Sequence, residues 1–101
     1  DAVNTEDSLH DFCFRLIDRV KVKGKNLSTD VYELVGYRSH FHALELEDLA
    51  IANGIMAASL DGGVSLGLEQ LLVLPSDKPH TRFLLELRTM LTQRLPGNEP
   101  A

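Results

Sequence analysis

The hydrophobic pattern of this chain changes period near Gly36, and that change limits the fold more than any other feature. Before it, β-branched and aromatic residues alternate as in strands; after it, Leu, Ala, Met and Glu recur at helical spacing. Phe12, Phe14 and Leu16 alternate with Cys13, Arg15 and Ile17, and Val20 and Val22 alternate with Lys21 and Lys23. This period-two run breaks around Asp18-Arg19, where a bulge or a change of exposed face is expected. Gly24, Lys25, Asn26 and Ser28 supply turn chemistry, and Thr29 to Val35 returns as a second strand. The unit is a β-hairpin. Because two strands alone are marginal in water, it should be the edge or end of a larger sheet.

From Tyr37 onward Phe41, Leu44, Leu49, Ala52, Ile55, Met56 and Leu60 form one helical stripe, which Asp61-Gly62-Gly63 ends. A shorter segment, Val64 to Leu74, places Leu68, Leu71 and Leu72 on one face and stops at Pro75. Ser76 or Asp77 can cap a third helix, with Pro79 in its first turn and Phe83, Leu84, Leu87, Met90 and Leu91 as its buried stripe. The breaker-rich stretch Pro96 to Pro100 reads as a frayed tail. The expected class is α+β: a hairpin segment over 1–36, a helical part of about three helices over 37–95, and a flexible end over 96–101. No 34-residue repeat recurs, so the helices amount to at most one tetratricopeptide-like unit.

With 101 residues, 44% apolar and 25% charged, the chain is at most one ordinary globular domain. Its net charge of −5 argues against general nucleic-acid or anionic-membrane binding. A single cysteine forms no internal disulfide, and no apolar run of bilayer length or signal-peptide pattern is present. A reduced, cytoplasmic setting is expected, with membrane anchoring left to any upstream sequence. The start at Asp1 reads as that of a fragment.

Residues 1 to 36 hold seven acids and five bases, yet four of those bases fall between Arg19 and Lys25. In a regular strand Arg19, Lys21, Lys23 and Lys25 would share a face. Ammonium groups beside a glycine, where backbone can approach closely, suit the phosphates of a nucleotide. The plainer alternative is a solvated edge strand whose lysines resist edge-to-edge aggregation.

The order Phe12-Cys13-Phe14-Arg15, Ile17-Asp18-Arg19-Val20, Val22-Lys23-Gly24-Lys25 and then Val31-Tyr32-Glu33-Leu34 resembles the C-terminal end of class III adenylate and guanylate cyclase catalytic domains. The likeness runs without a gap from Phe12 to Val35, about a quarter of the chain. It implies conversion of ATP or GTP to a cyclic nucleotide and pyrophosphate. Lys23 would be the lysine that reaches the substrate triphosphate, Gly24 would allow the tight turn, and Lys25 would face solvent. The resemblance also implies Mg or Mn in the full-length enzyme and a second cyclase domain, as in a homodimer. The family's metal-binding aspartates and other catalytic residues lie upstream of this segment, and Asp18 and Asp30 are not candidates for them. The fragment alone should therefore be inactive. The helical part, with Leu72-Val73-Leu74-Pro75-Ser76-Asp77 between helices, is loosely similar to tails that follow such domains in some bacterial enzymes. A packing or dimerisation role is one reading of it; a cover for the sheet edge is the other.

The competing class is a non-enzymatic interaction module with a solvated lysine strip. Three smaller signals point elsewhere. Gly63-Val64-Ser65-Leu66-Gly67, followed by Asp77 and His80, matches a hydrolase nucleophile motif, but a helix precedes it where that fold needs a strand. His40, His42 and Glu45 could approach a zinc ion only if the helix starts after His42, with ordinary helix-entry polarity as the alternative. Cys13, between two phenylalanines, reads as a small buried hydrophobe.

Overall fold

A computed structural model describes residues 11–24, 26–75 and 82–95 of the chain. Two antiparallel strands, β1 (Phe12–Lys21) and β2 (Ser28–Tyr37), form the expected hairpin. A single 3-10 turn, Arg38–His40, leads into α1 (Ala43–Gly62), α2 (Val64–Leu72) and α3 (Arg82–Gln93). The class is α+β, a two-stranded hairpin followed by three helices.

The strand irregularity is real but sits at Ile17, which is extra on β1 between Leu16, opposite Tyr32, and Asp18, opposite Val31. A second one puts Val35 extra on β2, between Leu34 and Gly36. Each inserted residue reverses the facing of the strand beyond it, which is why simple alternation fails here.

One core joins hairpin and helices. Cys13 and Leu16 of β1 are buried with Leu49, Ala52, Ile55 and Met56 of α1 and Phe83, Leu84, Leu87 and Leu91 of α3. The stripe expected for the third helix faces inward, with Met90 partly covered; of the one expected for the first, Leu49, Ala52, Ile55 and Met56 are buried and Leu60 packs on them, Phe41 does so from just before the helix, and Leu44 lies outside this cluster. Leu72 departs from its expected place. It is 79% exposed at the last position of α2, while Leu74, two residues on, packs against the core. Leu68 and Leu71 do pack against the core.

Glycine decides two of the joints. Gly63, at φ +106, separates α1 from α2, a conformation that side chains strongly disfavour. Gly67 brings α2 so close to its neighbours that a Cβ there would lie 2.7 Å from Ser59 Cβ and 3.1 Å from Leu91 Cδ1. The proposed caps Ser76 and Asp77, with Pro79 and the 96–101 tail, lie outside the described residues.

Candidate phosphate-facing hairpin tip

The ladder of β1 and β2 runs out at the pair Lys21 and Ser28, and one further bond, Val22 N–H to the Leu27 carbonyl at 3.1 Å, closes the hairpin. Lys23 and Gly24 form the tip. Lys23 is exposed, and Gly24 holds φ +80 with nothing within 4 Å of its Cβ position. That positive φ is the reason a glycine stands beside the lysine: another residue would strain the turn. Lys25 lies outside the described residues.

The described cations of the run, Arg19, Lys21 and Lys23, do not form one regular face. β1 stops at Lys21, so Lys23 belongs to the turn, and Arg19 is already engaged. Its Nε donates to Asp30 Oδ1 at 2.7 Å across the strands, and its Nη1 pairs with Asp61 near the end of α1. Hydrogen bonds to Asp30 first, and then to Asp61, raise the Arg19 pKa further above its ordinary value. Arg19 is thus a structural cation, charged throughout the working pH range.

Asp18 and Asp30 are likewise committed to the hairpin. Asp18 Oδ1 accepts the Arg19 N–H at 2.8 Å and lies 3.8 Å from Arg94 Nη1, while Asp30 holds Arg19. Among the described residues no group of three His, Cys, Asp or Glu side chains is arranged to hold a metal ion.

The minor candidates find other roles. α1 does start after His42, but His42 serves as its N-cap: its backbone N–H faces Glu45 Oε1 at 3.4 Å and its Nε2 lies 3.0 Å from the same oxygen. His40 packs edge-on against Tyr37, with ring centroids 5.4 Å apart. Ser65 lies in the first turn of α2 and is preceded by a helix, so no strand presents it; Asp77 and His80 lie outside the described residues. Cys13 is buried and free.

Three residues that sequence patterns do not single out organise the hairpin. Asn53 of α1 bonds the outer edge of β1, Asp61 receives Arg19, and Arg94, in the turn after α3, donates to the Ile17 carbonyl at 2.8 Å. The available signal was a polar Asn53 between Ala52 and Met56 on an apolar stripe; nothing comparable marks Arg94. Beside Asn53 an open groove of about 500 Å³ runs between β1 and α1, lined mainly by Phe12, Phe14, Tyr32, Leu46 and Leu49. No helix among the described residues is long and apolar enough to cross a membrane.

Comparison of the chain with protein-family models, with curated proteins and with solved structures finds no match.

Proposed function

We propose that this chain is the C-terminal part of a class III nucleotidyl cyclase and that Lys23 neutralises the triphosphate of an ATP or GTP substrate. One observation carries the reading: the family-like residue order falls on a single hairpin, with Lys23-Gly24 at its exposed tip. Attack of the ribose 3′-hydroxyl on the α-phosphorus forms the cyclic ester and expels pyrophosphate. Negative charge grows on that leaving group, and a lysine ammonium held beside it stabilises the transition state more than the ground state. Lys23 is unencumbered enough for this work, whereas Arg19 is held by two carboxylates.

The reading also accounts for surface that the helices leave open. Tyr32, Leu34 and Tyr37 of β2 are each about half exposed, as expected of a hairpin that ends a larger sheet. A second cyclase domain would complete the pocket, and the divalent metal belongs to that completed site. The same open surface, together with Leu72 and Val73 at 79% exposure, favours the alternative of a non-enzymatic interaction module.

Lys23→Ala in the intact protein, assayed for cyclic nucleotide formation from ATP and from GTP, separates the two. We expect a loss of roughly 100- to 1,000-fold, in line with removing one donor that stabilises charge developing in the transition state. Lys25→Ala should do much less. Unchanged turnover in a folded Lys23 variant would overturn the assignment.

A further inference from the structure

Beyond the bulge, the described residues place no core beneath the hairpin. Among the described residues, none of the buried core lies between Ile17 and Leu34, and Val20, Val22 and Leu27 are 47%, 41% and 65% exposed. This distal arm, which ends in Lys23, is a cantilever. Its bearing is the extra residue Ile17, whose carbonyl is met by a side chain from the helical part: Arg94 Nη2 donates to it at 2.8 Å. One residue past the bulge, Asp18 faces the same guanidinium, and Arg19 reaches the other way to Asp61 at the end of α1. Two arginines, one from the hairpin and one from the helical part, thus cross-link the base of the arm to the ends of two different helices.

We infer that Arg94 and Asp61 are positioning residues that set the direction of the hairpin tip, so that the helical part governs where Lys23 points. The functional consequence rests on the cyclase reading; the mechanical one does not. A bulge tolerates a range of bend and twist, because its extra residue is not held by the ladder. Side-chain hydrogen bonds to its carbonyl and to the residues beside it select one setting. Because these links are partly exposed and several are ionic, they are individually weak and salt-sensitive. They set an orientation without dominating stability, and a change in how the helices pack would be transmitted to the tip.

Amide hydrogen exchange on the 101-residue chain tests the mechanical claim. Arg94→Ala and Asp61→Asn should each speed exchange of the Val22 amide, which bonds Leu27, several-fold, while amides of α1 and α3 keep their wild-type rates. Arg94→Lys, which retains one donor for the Ile17 carbonyl, should restore part of the protection. Unchanged Val22 exchange in both variants, or faster exchange spread equally over the helices, would overturn the inference. In the intact protein the same variants should raise KM for the nucleotide several-fold, with Arg94→Lys intermediate. If Lys23→Ala leaves cyclic nucleotide formation unchanged while Arg94→Ala still loosens the tip, the cyclase reading fails and the positioning role stands. If Lys23→Ala abolishes activity but neither variant alters tip exchange or KM, the reverse holds.

Discussion

Asn53, midway along α1, holds Leu16 by its backbone: the side-chain carbonyl accepts the Leu16 N–H at 2.9 Å, and the amide donates to the Phe14 carbonyl, also at 2.9 Å. One helix side chain thereby satisfies, at Phe14 and Leu16, backbone groups on the outer edge of β1. It occupies those two backbone groups and ties the hairpin to the helix through them. Asn53→Ala should cost about 1–3 kcal/mol, the range for stranding part-buried polar groups. Asn53→Asp, which keeps the acceptor and loses the donor, should also destabilise. Urea unfolding measures both, and an Ala variant as stable as wild type would show that water replaces the amide without loss.

Three glycines should respond to alanine in opposite directions. At Gly36, φ is +149 and a Cβ would meet the Phe41 ring at 3.2 Å, so Gly36→Ala should destabilise by about 1–3 kcal/mol. Gly67→Ala should cost a similar amount, about 1–3 kcal/mol, by pushing α2 away from Ser59 and Leu91. Gly54 lies inside α1 with open space around its Cβ position, so Gly54→Ala should stabilise by about 0.5–1 kcal/mol. Thermal midpoints of the three variants give the ranking, and a destabilising Gly54→Ala would contradict it.

Phe83 is completely buried, packs against Phe41 with centroids 5.6 Å apart, and carries the Arg82 guanidinium 4.8 Å from its ring centre. Phe83→Ala should remove about 3–5 kcal/mol, through lost burial and the cavity left behind. Urea unfolding measures the loss.

Both tyrosines, Tyr32 and Tyr37, lie on β2, and the chain has no tryptophan, so tyrosine fluorescence reports on the hairpin alone. Far-ultraviolet circular dichroism reports mainly on the helices. Because Cys13 and Leu16 share a core with α1 and α3, the two signals should trace one coincident unfolding transition. Separate midpoints would show that hairpin and helices fold as independent units.

Lys21 and Lys23 are exposed, so Lys21→Ala and Lys23→Ala should shift stability by no more than about 0.5 kcal/mol. Equal urea midpoints would make any loss of activity in the Lys23 variant a statement about chemistry and not about folding.

Local patterns carried much of this fold. Alternation around Phe12 to Leu16 and Thr29 to Val35 specified strands, Gly24 specified the turn, and the stripes ending at Leu60 and Leu91 specified buried helical faces, because these depend on near neighbours along the chain. The motif around Lys23 was legible for the same reason: a tight turn needs its glycine at one place. The positions of the bulges were not legible. An extra residue at Ile17 or Val35 is set by which partner residues face it across the ladder, and alternation locates such a break only to within a residue or two.

The sequence by itself determined the element types, their order and the candidate lysine. Only the tertiary structure decided which charged groups remain available. Arg19 is spoken for because Asp30 lies opposite it across the strands and Asp61, forty-two positions along the chain, comes within reach once α1 packs on β1. Arg94 meets the Ile17 carbonyl only when α3 lies against the hairpin, a contact spanning seventy-seven positions. Charge and hydrogen bonding act through space, so only after the chain has folded does one cation of the row, Arg19, become engaged by two carboxylates while Lys23 stays exposed at the tip.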